Sequence, residues 1–341
     1  MRYGLTVLGV TAVAVAAVAV TGCGSSGQRS AGRTPAARSE TAATSTTAAT
    51  RLPGVTRPPA RPPARIVVPA AIIRNAQGSV DAGFVKLTIK GQPYIFKVDT
   101  GATSTIVDST VAQALALPDR GPATTLTALC AKSSAQPVAI SDWKLGGATL
   151  PAMTIASEAT GFAGTTYQGL PFGGLLGADV LSRFGTMTLD FAGKRLTLGG
   201  KAPSGGQGLP AVIGRLPSGG VIVLVQAAID GKPVGYQIDT GAGSTTIDSR
   251  VARRLGLMAA GKSRKALGIG CSTMITPVRI GDWTAGGVTL PATIAVSSLN
   301  GITDLSKGKI VGLLGAPLMA TFGEVTIDFT GKRVVLGGTV G

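Results

Sequence analysis

The chain has 341 residues, room for two domains of ordinary size. Its 44% apolar and 4% aromatic content, with 50 glycines and 20 prolines, suits short strands on tight turns and not a helical bundle. It has no histidine, which excludes a Ser-His-Asp triad and a His-ligated zinc centre, and it carries no Walker loop or dinucleotide fingerprint. The net charge of +16 would suit nucleic acid, but half of it lies in residues 1–75, where nine arginines meet one acid, Glu40. No basic stripe interleaved with aromatics accompanies it, so neither a nucleic-acid partner nor a metal or other cofactor is expected.

Residues 1–23 read as an export signal: Arg2, an uncharged apolar run from Leu5 to Val20, then small residues before Cys23. Val20-Thr21-Gly22-Cys23 resembles the bacterial lipobox, in which the cysteine becomes the lipidated first residue. That resemblance implies a lipid anchor at Cys23, outside the cytoplasmic membrane. A plain secretory signal or a spanning anchor is the alternative, and the run is short for a spanning helix. Residues 24–65 are low-complexity Ser, Thr, Ala, Pro and Arg, with too little apolar surface to offset their ordering entropy. Such a segment reaches about 35 Å as a coil and about 140 Å fully extended. Its arginines would favour an anionic lipid surface. It reads as a tether or, equally, a cleavable pro-segment.

The remainder is a tandem repeat, divided as 66–200 and 201–341. Phe96-Lys97-Val98-Asp99-Thr100-Gly101-Ala102 recurs as Tyr236-Gln237-Ile238-Asp239-Thr240-Gly241-Ala242. Asp142-Trp143 and Leu150-Pro151 recur as Asp282-Trp283 and Leu290-Pro291. Leu175-Leu176-Gly177-Ala178 recurs as Leu313-Leu314-Gly315-Ala316, and the tails Asp190-Phe191 and Gly193-Lys194-Arg195 as Asp328-Phe329 and Gly331-Lys332-Arg333. Gly199 to Gly208 reads as the connection between the copies. Within each copy the alternation predicts a strand over Val85–Ile89, a turn at Lys90-Gly91-Gln92-Pro93 and a second strand from Tyr94. Asp108-Ser109 and Asp248-Ser249 predict caps for short helices over 111–117 and 251–257. Residues 186–198 and 324–336 predict closing hairpins.

Each Asp-Thr-Gly-Ala follows an apolar strand residue, precedes a Ser/Thr-rich turn and is followed about 75 residues later by two apolar residues and a glycine. Across residues 80–341 this pattern resembles the aspartic peptidases of the retropepsin and pepsin group. The resemblance implies an all-β fold of two retropepsin-like lobes with a cleft between them. Asp99 and Asp239 would be the catalytic pair, supported by Thr100, Gly101, Ala102, Thr240, Gly241 and Ala242. Two carboxylates about 3 Å apart cannot both ionise, so one proton serves both while the ionised partner activates a water. The implied partner is a polypeptide bound extended in the cleft, and the implied state is a monomer that is an internal pseudo-dimer. A non-catalytic peptide-binding or sensor lipoprotein keeping the fold is the alternative function.

Asp108, Asp248, Asp142, Asp282, Asp190 and Asp328 also pair between copies, where capping and turns account for them. Asp179 matches Pro317, which speaks against a catalytic part. Trp143 and Trp283 are expected in the core. Cys130 and Cys271 follow their aspartates by similar distances, in the region that forms the flap in retropepsin-like lobes. An exported chain favours pairing them across the cleft mouth, which would stabilise by roughly 5 kcal/mol at most. Two unpaired thiols are the alternative.

Overall fold

The computed structural model describes residues 65–75, 78–128, 132–268, 271–297, 306 and 309–338, with Ala16 and Ala17. The export-signal, lipidation and tether readings therefore lie outside the described residues, apart from those two alanines and Arg65. So does the disulfide, since Cys130 and the side chain of Cys271 fall outside them. Among the described residues no helix is long and apolar enough to cross a membrane.

The fold is all-β and two-lobed. In the first lobe Val80–Ile89 and Gln92–Asp99 form an antiparallel hairpin. Lys90 and Gly91, both at positive φ (48° and 78°), turn it, as a two-residue hairpin turn requires. Asp230 and Gly231 repeat that turn at 48° and 73° between Val221–Ile229 and Lys232–Asp239. Leu170–Gly177 then runs parallel to Gln92–Asp99, with Gly177 opposite Asp99. Gly312–Gly315 does the same against Lys232–Asp239, with Gly315 opposite Asp239. Each catalytic-type turn thus leaves the end of a strand fixed on both sides.

The lobes are joined by an antiparallel sheet in the order Ile66–Pro69, Arg195–Leu198, Thr186–Asp190, Glu324–Asp328, Arg333–Leu336, Gln207–Arg215. At its centre Thr188 faces its own repeat equivalent, Thr326, with their hydroxyls 2.7 Å apart. Phe191 N–H donates to Gly323 O and Phe329 N–H to Gly185 O, each at 2.9 Å. These reciprocal pairs mark a pseudo-two-fold axis between the copies. The apolar core runs continuously through both lobes, from Trp143 and Leu176 to Trp283 and Leu314.

The repeated acids and tryptophans have structural roles. Trp143 and Trp283 are buried, and their indole N–H groups donate to Pro151 O (3.0 Å) and Pro291 O (2.9 Å), which explains the recurring Leu-Pro. Asp190 and Asp328 accept from the N–H of Gly193 (2.5 Å) and Gly331 (2.6 Å) and pair with Arg195 (2.7 Å) and Arg333 (3.3 Å), closing the hairpins. Asp142 and Asp282 contribute backbone carbonyls, which accept from Lys90 N–H (2.8 Å) and Asp230 N–H (3.1 Å).

The helices depart from their expected bounds: they are Ser109–Ala114 and Ser249–Arg254, not 111–117 and 251–257. Each starts directly after its cap and ends early because Ala116 and Gly256 take positive φ (44° and 72°), which no right-handed helix accommodates. Asp108 caps the first through Thr110 N–H (3.0 Å) and also accepts from Thr160 N–H (3.2 Å) and its hydroxyl (2.5 Å). Burial opposes its ionisation, but these hydrogen bonds prevail and hold its carboxyl below the usual range. Asp108→Ala is expected to cost about 2–3 kcal/mol, measured by denaturant midpoint at neutral pH. The loss should shrink as pH falls through the lowered folded value, because the stability this carboxylate contributes is present above the unfolded value and disappears on protonation.

Candidate active site

Asp99 and Asp239 end their strands at the lobe interface, fully buried. Asp99 Oδ1 accepts from Ala102 N–H and Asp239 Oδ1 from Gly241 N–H, both at 2.9 Å. The remaining oxygens, Oδ2 of each, are buried and receive nothing from any other protein group. Each carboxyl lies against the opposite turn, that of Asp239 against Gly101 and that of Asp99 against Gly241, and the two acids feel each other's charge. An ionised carboxylate only accepts, so a hydrogen bond between the two would require a proton on one partner.

The threonines hold the turns together. Thr100 N–H donates to Thr240 Oγ1 (3.1 Å) and Thr240 N–H to Thr100 Oγ1 (3.0 Å). Thr100 Oγ1 donates to Ile238 O (3.0 Å) and Thr240 Oγ1 to Val98 O (2.9 Å). Each hydroxyl therefore both accepts and donates across the interface, which Ser or Thr alone among small side chains can do. Gln237 adds a further cross-lobe bond, its side-chain N–H donating to Gly101 O at 2.9 Å.

Small residues are obligatory here for steric reasons. A Cβ on Gly101 would overlap the Asp239 carboxyl, and one on Gly241 would overlap that of Asp99. Gly101→Ala is expected to cost about 1–3 kcal/mol by overpacking and to separate the carboxyls; a denaturant midpoint unchanged from the parent would contradict that packing. Behind the turns, Ala178 N–H donates to Ala102 O and Ala316 N–H to Ala242 O, both at 2.9 Å. A Cβ on Gly177 would strike the Ser104–Thr105 peptide, at 2.5 Å from Ser104 C and 2.7 Å from Thr105 N. The two apolar residues and glycine of each copy thus brace a turn without touching its reactive edge.

Burial is the largest influence on both acids. It raises the Asp99 carboxyl above its usual range, against an opposing pull from Lys97 and from backbone hydrogen bonds. It raises Asp239 well above that range, and the adjoining Asp99 charge adds to the effect while Lys97 opposes it. Such a pair releases its protons in two separated steps. Lys97 is itself buried, 2% exposed, yet no ion pair within 4 Å joins it to either carboxylate; the ion pairs among the described residues involve Arg195, Arg250 and Arg333.

Three supporting residues escaped the reading of the sequence. Asp179 is not at the dyad, but its Oδ1 accepts from Thr105 N–H (2.8 Å), Thr105 Oγ1 (2.7 Å) and Val180 N–H (2.8 Å), tying down the segment after Asp99. Lys97 and Asp81, both buried, lie near the pair and have Gln237 and Val221 as repeat counterparts. A residue-by-residue comparison of the copies marks all three as unmatched charges, but neither the burial of Lys97 and Asp81 nor the bonds of Asp179 shows in it. Beside the first turn a cavity of about 330 Å³ is lined by Ser104, Thr124, Leu126, Ile155, Asp179 and Gly219. A larger one, about 570 Å³ around Leu117, Arg120 and Met153, includes no residue of either turn.

Two buried carboxyls, each set against the other's turn about a pseudo-two-fold axis within two all-β lobes, define the retropepsin- and pepsin-like aspartic peptidase fold. The family model described as aspartyl protease matches residues 85–180 and 225–318, one match per copy and more than half of the chain, and the chain belongs to that family. No curated protein matches it. Among solved structures, the aspartic proteinase from Irpex lacteus is similar at 13% identity and a TM-score of 0.45, over 81% of this chain and 98% of that one. The protein edgp is similar at 12% identity and a TM-score of 0.43, over 82% and 96%.

Proposed function

We propose that the chain is an aspartic endopeptidase in which Asp99 and Asp239 activate one water against a peptide bond. The observation that carries this reading is that both carboxyls are buried, each set against the other's turn, with Oδ2 of each left without a hydrogen-bond partner. The ionised partner takes a proton from water as its oxygen attacks the peptide carbonyl, and the protonated partner donates to the carbonyl oxygen. Collapse of the tetrahedral intermediate returns a proton to the leaving amine. Substrate would lie extended beneath the hairpins Thr124–Ala128/Lys132–Ile140 and Arg264–Gly268/Cys271–Ile280, with one side chain in the recess beside Ser104. Incubating the protein with a peptide library, alongside Asp99→Asn, tests the reading; hydrolysis indifferent to that substitution would defeat it.

Activity should follow a bell-shaped pH dependence, since catalysis needs one proton on the pair. At low pH neither carboxyl is a base, and at high pH neither is an acid. Because burial and mutual repulsion hold the second proton well above the usual carboxylate range, the alkaline limb should lie above that range too. A plot of log kcat/KM against pH checks this; an alkaline limb near 4 would contradict it.

The chain is further proposed to be anchored through lipid on Cys23, outside the cytoplasmic membrane, on the strength of the Val20-Thr21-Gly22-Cys23 sequence. Metabolic labelling with a fatty-acid analogue should mark the parent chain and leave Cys23→Ala unmarked. The Cys130–Cys271 bridge is a proposal on the same footing, and non-reducing peptide mapping that found two separate alkylated thiols would end it.

A further inference from the structure

The two copies share the dyad turns residue for residue, so buried charges present in only one of them stand out. Lys97 occupies the place of Gln237, and Asp81 the place of Val221. Lys97 is 2% exposed and Asp81 9%, although lysine and aspartate are almost never fully buried without a partner. Polar groups kept at such a cost invite a functional explanation.

The placement of Lys97 is informative. It precedes Asp99 by two residues on Gln92–Asp99, so strand alternation sends both side chains to one face, about 7 Å apart along the strand. Its repeat counterpart Gln237 reaches the opposite catalytic-type turn, at Gly101 O. The side-chain position is therefore one from which the dyad is addressed. Neighbouring Val80–Ile89 pairs Phe84 with Lys97 and carries Asp81. Leu170–Gly177, on the other side, pairs Leu175 with Lys97 and has no titratable residue. Lys86 on Val80–Ile89 points to solvent. The charged groups around Lys97 are thus Asp81, Asp99 and Asp239.

Asp81 completes an asymmetric arrangement. Its carboxyl lies against Gly243, in the turn that follows Asp239, where a Cβ would overlap it, and its buried Oδ1 has no hydrogen-bond partner. A positive charge therefore stands on the strand of Asp99, and an acid stands beside the turn of Asp239.

We propose that Lys97, with Asp81 as its counter-charge, is a positioning residue that breaks the symmetry of the pair, keeping the negative charge on Asp99 and the shared proton on Asp239. The proposal rests on the reading of these acids as the catalytic dyad and assigns their parts. Asp99 becomes the base that takes the proton from water, and Asp239 the acid that donates to the carbonyl oxygen.

The copies supply their own controls. Lys97→Gln installs the residue the second copy uses, and Lys97→Gln/Gln237→Lys moves the charge to the opposite strand. The direct readout is a carbon NMR titration of the Asp99 and Asp239 carboxyls in the full chain, which needs no hydrolysis. With the positive charge removed, both anionic states are less favoured, so both steps of the pair should move upward by about one pH unit. On the acid limb kcat/KM should then fall roughly tenfold. In the double variant the steps should return toward the parent values, with the lower one now carried by Asp239. If Lys97→Gln does not fold, Lys97→Met, which keeps the buried stem without the charge, reads the same quantity. Steps unmoved by charge removal, or a lower step that stays on Asp99 after the exchange, would overturn the proposal. Shifts as described in a chain that hydrolyses no peptide would leave it standing and remove the peptidase reading instead.

Discussion

Asparagine at either Asp99 or Asp239 is expected to lower kcat by about a thousandfold or more, within the range carried by a general acid or base, while the chain stays folded. The amide keeps the shape of the carboxyl and can still accept from Ala102 or Gly241 N–H. It can neither take a proton from water nor share one with its neighbour. The same substitutions should change stability in a pH-dependent way. Both carboxyls are raised in the folded chain by burial, and Asp239 further by Asp99. The stability this contributes is complete below the unfolded value, near that of an ordinary aspartate, and is lost as pH rises through the raised folded value. Asp239→Asn should therefore flatten the decline of Tm with rising pH above about 4. A variant that matched the parent Tm at acid pH and melted lower at neutral pH would show the opposite sign and contradict the burial of a shared proton.

The second large effect concerns the threonines. Thr100→Val/Thr240→Val keeps side-chain volume and removes all four cross-lobe bonds made by the two hydroxyls. It leaves two buried N–H donors and two carbonyl oxygens without those partners. At about 1–3 kcal/mol for each buried polar group left unsatisfied, the double variant should lose on the order of 4 kcal/mol or more, a large share of the stability of an ordinary domain. Denaturant unfolding measures the loss. Each single variant should cost less than the whole but more than half of it, because the two hydroxyls satisfy one another's backbone reciprocally and their effects are not independent. Losses below about 1 kcal/mol in the double variant would mean that the turns are held by packing alone.

Much of this architecture was legible because the chain is a tandem copy. Asp-Thr-Gly-Ala in two places, each followed by Leu-Leu-Gly-Ala, marks two equivalent turns, and the family resemblance implies that they meet on an axis. The supporting part of Thr100 and Thr240 came from the family resemblance. The first hairpin turn was readable from Lys90-Gly91, where glycine takes a φ of 78°. Helix ends were not, because nothing in Ala116 announces its φ of 44°; tertiary packing sets it. The inter-lobe sheet was likewise hidden, since the pairing of Ile66–Pro69 with Arg195–Leu198 depends on contacts some 130 residues apart. Lys97 escaped for a different reason. In an alternating strand a lysine reads as the solvent face, and only the fold shows that both faces of Gln92–Asp99 are covered near its end. Asp179 was set apart from the chemistry by its mismatch with Pro317, but its grip on Thr105 has no local signature.

A neutron structure at a pH between the two titration steps tests the heart of the mechanism most directly. It should show the facing oxygens of Asp99 and Asp239 within hydrogen-bonding distance and a single deuteron serving both. Carboxyls held apart, or a pair with no deuteron between its facing oxygens, would leave the two-lobed fold without the chemistry assigned to it.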